Sequence, residues 1–232
     1  MAKVKEVATI EYEVRPRTFR PPRYIHYSES DGEPMAETDK HINLLIYLRE
    51  ALADHFRDDP NVYVAGNLFV YYAEGDPSQV VAPDVFVVKG VPKHDRRTYK
   101  VWEEGQGPDV VFELTSEGTR KKDEGIKKSI YEALGVEEYF IFDPLGEYLE
   151  PRLVGFRRAK WGYRRIEGEE PLVSHVLGLE LQVEGEMLRL VDPATGEKLL
   201  TPLEAQEARR QAEAEVERLQ AELARLRGEE TG

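Results

Sequence analysis

One segment limits the possible folds more than any other. Asp109-Val-Val-Phe-Glu-Leu-Thr115 reads as a buried strand that carries one charge inside it. Strands buried on both faces show such near-continuous apolar runs. A helix is predicted from about Arg120 to Leu134. Gly135 is a natural stop, because glycine takes the left-handed conformation at a helix C-terminus without penalty. Tyr139-Phe-Ile-Phe142 is a second short apolar strand, ended by Asp143-Pro144. Strand, helix and strand in this order predict parallel pairing through a helical crossover. The chain is therefore expected to be α/β or α+β, a mixed sheet flanked by helices.

The flanking segments extend that core. A first helix is expected to start near Thr38 or Asp39, either of which could cap it. Leu45, Leu48, Leu52 and Phe56 fall on one helical face, and Asp58-Asp59-Pro60 ends the helix. Val62-Tyr-Val64, Leu68–Tyr72 and Val80–Val88 are strand-like, being β-branched and aromatic. Pro83 interrupts the last of these and belongs at an edge or bulge, since proline cannot donate to a ladder. Residues 89–107 form a long polar connection. Residues 153–192 read as short antiparallel strands with glycine turns. Three segments follow: an irregular lead-in over 1–38, a domain over 39–200 and a helical tail over 201–232.

The tail has a pattern of its own. Ala205, Ala208, Ala212, Val216, Leu219, Leu223 and Leu226 step by threes and fours, a heptad seam with one extra residue. Two readings remain open here: a helix that is solvated or folded back on the body, and a coiled coil that makes a homodimer.

Composition narrows the function classes. Of 232 residues, 32 are Lys or Arg and 45 are Asp or Glu, a net charge of −13. That balance argues against a protein that coats nucleic acid through excess cations. It leaves room for an enzyme with a local basic patch and metal ions. Cysteine is absent, which removes disulfides, thiolate metal sites and thiol nucleophiles together. The five histidines lack zinc-hydrolase spacing, and no phosphate-binding loop, dinucleotide fingerprint or nucleophile elbow occurs. No nucleotide cofactor is expected. No run nears the ~18 apolar residues of a membrane helix. Charges occupy the start where a signal peptide needs apolar residues, so a cytoplasmic protein is expected.

Two carboxylates interrupt apolar strands: Asp84 in Val-Ala-Pro-Asp-Val-Phe and Glu113 in Val-Val-Phe-Glu-Leu. Each is either a solvated strand end or, if the strands are neighbours and the side chains share a face, half of an oxygen-rich site. Hard cations such as Mg²⁺ are held by one or two carboxylates with waters and phosphate oxygens. Asp123, Lys127 and Tyr131, four residues apart in turn, line one helical face. They are either a surface pair with a tyrosine or a face turned toward the carboxylates. His41 reads as a capping or surface residue. Lys93, Arg96, Arg97 and Lys100 sit in the polar connection, where they either hold a phosphate backbone or form a solvated loop. Arg15, Arg17, Arg20 and Arg23 carry the same ambiguity.

These residues together resemble a known family. Pro83-Asp84, Phe112-Glu113-Leu-Thr-Ser116, Thr119-Arg120, Asp123, Lys127, Tyr131, Gly135-Val136, Tyr139-Phe140 and Asp143-Pro144 are similar, in order and spacing, to the Uma-two family. That family comprises restriction-endonuclease-like proteins of the PD-(D/E)XK nuclease superfamily. The resemblance spans roughly residues 39–150. It implies a restriction-endonuclease-like core with a β-rich extension and metal-dependent hydrolysis of nucleic-acid phosphodiesters. Asp84 and Glu113 would bind Mg²⁺ or Mn²⁺, with the Leu114 carbonyl as a further ligand. The superfamily pattern puts lysine two residues after the second acid, where this chain has Thr115, and Lys127 matches the lysine's displaced position on the helix. DNA is the expected substrate, Asp84, Glu113 and Lys127 the expected catalytic set, and Asp123, Thr115 and Tyr131 its supports. The rival reading is a nucleic-acid-binding or regulatory module that keeps the fold without strong catalysis.

Overall fold

The structure, a computed structural model, describes residues 25–30, 38–168 and 171–229. Most of the expected lead-in, including Arg15, Arg17, Arg20 and Arg23, lies outside the described residues. Helix α1 (Asp39–His55) is capped by Thr38, whose side chain accepts from the His41 N–H. Next come strands β1 (Val62–Gly66), β2 (Val70–Tyr71), β3 (Val80–Val81), β4 (Val85–Lys89) and β5 (Tyr99–Lys100), and the short helix α2 (Val101–Glu104). Strand β6 (Val110–Leu114) leads into a helical rod made of α3 (Arg120–Lys122), a π-helical turn (Asp123–Lys127) and α4 (Lys128–Leu134). Strands β7 (Glu138–Phe142), β8 (Leu153–Ala159), β9 (Gly162–Arg165), β10 (Leu172–Ser174), β11 (Leu179–Glu184) and β12 (Met187–Val191) follow, then helix α5 (Pro202–Glu229).

The main sheet has the order β1-β4-β6-β7-β8-β9. Strands β6 and β7 are parallel and joined by the rod, as the strand–helix–strand order requires. The other pairs in this sheet are antiparallel. Alternation along the strands sends side chains to two cores. Val85, Val87, Phe112, Leu114, Phe140 and Phe142 pack toward α1 and the sheet β10-β11-β12. Phe86, Val88, Val111, Tyr139 and Ile141 pack on the other side with Tyr131 and Val136.

Several elements differ from expectation. The run Val80–Val88 breaks into β3 and β4, because Pro83 cannot continue the ladder. Only Val70 and Tyr71 of Leu68–Tyr72 are in a strand, and these join β3 and β5 in a separate small sheet. The β-rich extension is divided: β8 and β9 lengthen the main sheet, while β10 to β12 form their own. The rod holds a π-helical turn instead of uniform α-helix. On α1 the buried stripe runs through His41, Leu44, Tyr47, Leu48, Ala51 and Leu52, rotated from the predicted face. Among the described residues no helix is long and apolar enough to cross a membrane.

The separate sheet is tied to the main one by a buried carboxylate. Glu138 on β7 accepts from Arg157 Nε at 2.8 Å, from the backbone N–H groups of His175 at 3.0 Å and Val176 at 3.3 Å, and from the Ser174 hydroxyl. Its side chain is essentially inaccessible. Removing it orphans several donors at once. Glu138→Ala should lower the unfolding free energy in urea by about 3 kcal/mol. A loss too small to measure would mean that these donors find other partners.

Candidate active site

Extending the β4–β6 register one step beyond Val85↔Phe112 sets Asp84 opposite Glu113. By alternation both belong to the face that carries Phe86 and Val111, the face on which the rod lies. The two carboxylates therefore share one side of the sheet. The Asp84 side chain is 18% exposed and that of Glu113 is 1% exposed.

Each carboxylate is held at both oxygens. Asp84 Oδ2 accepts from the Leu114 N–H at 2.7 Å, and its Oδ1 lies 3.3 Å from His41 Nε2. Glu113 Oε2 accepts from the Lys127 ammonium at 2.8 Å, and Oε1 accepts from the Tyr131 hydroxyl at 2.5 Å. Lys127 also pairs with Asp123 Oδ1 at 3.3 Å. Thr115 Oγ donates to Asp123 Oδ2 at 3.0 Å, and the Tyr139 hydroxyl donates to the Asp123 carbonyl at 3.0 Å. The geometry around Asp123 Oδ1 is that of an ion pair without a directional hydrogen bond.

Thus the structure gathers Asp84, Glu113, Thr115, Asp123, Lys127 and Tyr131 into one cluster. Thr115 occupies the strand position where the superfamily pattern has lysine. It binds Asp123, which sits beside Lys127, so the strand steers the cation that the helix supplies. π turns are rare and are often found at functional sites. This one carries Asp123 at its start and Lys127 at its end.

His41 is a correction to the sequence reading. Its ring is buried and faces Asp84 instead of solvent. The signal was present: continuing the buried stripe of Leu44, Leu48 and Leu52 back by three residues lands on position 41.

In the basic connection Arg96 fits neither expected role. Arg96 makes a two-pronged bond to Glu104, Nε–Oε1 at 2.7 Å and Nη2–Oε2 at 2.8 Å, and lies over the Tyr63 ring. Its side chain is 3% exposed, so it serves the fold. Lys93 caps the end of α1 at the Phe56 carbonyl, Arg97 pairs with Glu29, and Lys100 pairs with Glu103. None of the three is drawn into the core as Arg96 is; Lys93 and Arg97 are exposed.

Among the described residues no three His, Asp or Glu side chains surround a common point. Any ion here would be held by two carboxylates and other oxygens, the donor set that Mg²⁺ and Mn²⁺ accept. In extended backbone a residue's N–H and C=O point to the same strand edge. The Leu114 N–H points at Asp84, so its carbonyl belongs to that edge too. Across from it the register sets Pro83, which has no N–H to offer. Asp84, Glu113 and the Leu114 carbonyl are thus the oxygens that a hard divalent cation could take here.

The family model of Uma2, described as "Putative restriction endonuclease", matches residues 11–184. The chain belongs to the Uma2 family. Membership supports a nuclease function in general terms. Among solved structures, one titled as a putative nuclease belonging to DUF820 from Anabaena variabilis ATCC 29413 is 14% identical. The match covers 64% of this Uma2 chain and 80% of that one, with a TM-score of 0.47. No curated protein matches significantly.

The electrostatics of the Uma2 cluster follow from burial. Desolvation lifts the Glu113 carboxyl well above the usual range; the Lys127 charge opposes this, while Asp84 and Asp123 add to it. Burial alone would depress Lys127, but the charges of Glu113, Asp123 and Asp84 more than reverse that, and the net direction is up. Burial, then the Glu113 charge, raises Tyr131, which remains a donor.

A carboxyl raised on folding contributes stability that is complete below its unfolded pKa and is lost as pH rises through the folded one. Metal-free protein should lose stability as pH climbs above the ordinary glutamate range. Glu113→Gln, which does not ionise, should lose less over the same interval in urea titrations. Equal losses would remove Glu113 as the source.

Proposed function

We propose that the protein is a cytoplasmic endonuclease that hydrolyses phosphodiester bonds of DNA with Mg²⁺ or Mn²⁺ held at Asp84 and Glu113. The observation that carries this reading is the register pairing of two carboxylates on one sheet face, with a lysine ammonium 2.8 Å from one of them. Asp84, Glu113 and the Leu114 carbonyl would hold the ion. A divalent ion supplies a water of lowered pKa and offsets charge on the phosphate.

The other roles belong to side chains. Lys127 stabilises negative charge that develops on the phosphate, a term that counts for more in a site shielded from water. Asp123 and Thr115 keep the ammonium aimed at Glu113. Tyr131 fixes one Glu113 oxygen, and His41 fixes one Asp84 oxygen. Lys93, Arg97 and Lys100 contact the DNA backbone, where cations set position without reading sequence. Arg96 supports that loop from beneath.

The burial of Glu113 favours a second reading, a nucleic-acid-binding or regulatory module in which Lys127 takes the place of an ion. Calorimetry separates the two. Under the catalytic reading the wild type binds Mn²⁺ and Glu113→Ala does not. Absence of Mn²⁺ binding in the wild type leaves only the module.

Plasmid cleavage should appear with Mg²⁺ or Mn²⁺, stop with chelator and vanish in Asp84→Asn. Cleavage surviving in that variant would put the chemistry elsewhere. His41→Ala should weaken ion binding or rate about 10–100-fold, the usual range for a group that orients a metal ligand. Lys127→Met should slow cleavage by at least about 100-fold.

A further inference from the structure

Helix α5 begins as a well-anchored element and ends as an unsupported one. At its start Thr201 and Glu204 exchange bonds, Thr201 N to Glu204 Oε2 at 2.7 Å and Glu204 N to Thr201 Oγ at 3.2 Å. This reciprocal box satisfies two helix donors. Arg189 then ties Glu204 to the body at 2.9 Å. Beyond Glu204 every side chain with a described burial is exposed, through Arg227. At about 1.5 Å per residue the 28-residue helix is roughly 42 Å long. A helix with no packing partner is marginal in water. Yet Val216, Leu219, Leu223 and Leu226 are about half exposed along one stripe.

We infer that this stripe pairs with the same stripe of a second copy, as a parallel, in-register two-stranded coiled coil. Residues 212–226 keep a strict heptad. Val216 and Leu223 take position a, and Ala212, Leu219 and Leu226 take position d. A β-branched residue at a with leucine at d favours two parallel strands. Upstream, Arg209 replaces the next a residue and the seam shifts to Ala208 and Ala205, an inserted step that loosens the supercoil.

The flanking charges choose the direction. Glu215 and Glu222 hold position g, while Glu213, Gln220 and Arg227 hold position e. In a parallel pair, g faces the e residue five positions on in the partner. That sets Glu222 against Arg227 of the second copy twice and Glu215 against Gln220 twice, with no like-charge contact. An antiparallel pair sets Glu215 against Glu222, which cancels its gain between Glu213 and Arg227. The parallel arrangement puts both nuclease-like bodies at the same end of the rod, related by a two-fold axis along it. This inference does not depend on the chemistry at Asp84 and Glu113.

The natural chain has no cysteine, so a single engineered thiol reports direction cleanly. Bridged cysteines need Cα atoms usually about 4.4–6.8 Å apart. Ala212→Cys and Leu226→Cys lie at opposite ends of the strict heptad. Each variant alone should form a disulfide-linked dimer under mild oxidation. Light scattering of the wild type should give twice 26.6 kDa, and Leu219→Asp with Leu223→Asp should return one chain mass with the body's near-ultraviolet dichroism unchanged. Crosslinking only when the two cysteine variants are mixed would overturn the parallel arrangement. A monomeric wild type, or a dimer that survives the double aspartate change, would overturn the pairing itself.

Discussion

The structure depends on one buried carboxylate. Glu113 is the fourth of five residues in a strand that is buried throughout. An unpaired charge there would be prohibitive, so folding must bring it partners. Lys127 and Tyr131 supply them, and both lie on the rod that connects β6 to β7. The crossover therefore has to dock with one rotation about its axis and one height along it. Hydrophobic packing of Tyr131 against Tyr139 sets the approach, and the bonds to Glu113 select the register.

The site grows out of that docking. Once the rod is seated, Asp123 meets Thr115, and Lys127 is fixed between two acids. On the adjacent strand Pro83 ends the ladder and Asp84 follows it. The aspartate can then bond the Leu114 N–H that a continuing strand would have taken. From the opposite side of the sheet, the first turn of α1 brings His41 to the other Asp84 oxygen. The cluster thus draws on two strands and two helical elements that pack against different faces. Its geometry tests the fold as a whole.

Much of this was legible in the sequence because it rests on local pattern. The order of β6, rod and β7 follows from apolar runs, a glycine stop and spacing. The common face of Asp123, Lys127 and Tyr131 follows from helical periodicity, and it survived the π turn because residues four apart still meet there. What was not legible depends on tertiary choice. Two overlapping apolar stripes on α1 compete, through Leu45 and through Leu44. Only packing against the main sheet and β12 decides for the second, and with it for an inward His41. The separation of β8 and β9 from β10 to β12 is likewise a matter of which edge a strand finds. Arg96 reads as a surface cation in a polar loop, but Glu104 lies across the α2 turn and Tyr63 offers a ring, so it is drawn in.

A helix-borne ammonium beside Glu113 has a mechanical consequence. A lysine two residues after Glu113 would share its strand and hold its place through the ladder alone. A lysine on the rod depends instead on the turn that carries it. That turn is wider than an α-helical one, and its Asp123 carbonyl takes a bond from the Tyr139 hydroxyl of β7. Tyr131 makes the matching bond from α4 to Glu113 of β6. Two tyrosines in ring contact thus tie the rod to both parallel strands, one bond in each direction. The ammonium is held by a closed loop of contacts running strand, helix, strand, and a shift at any point of that loop would be felt at Glu113.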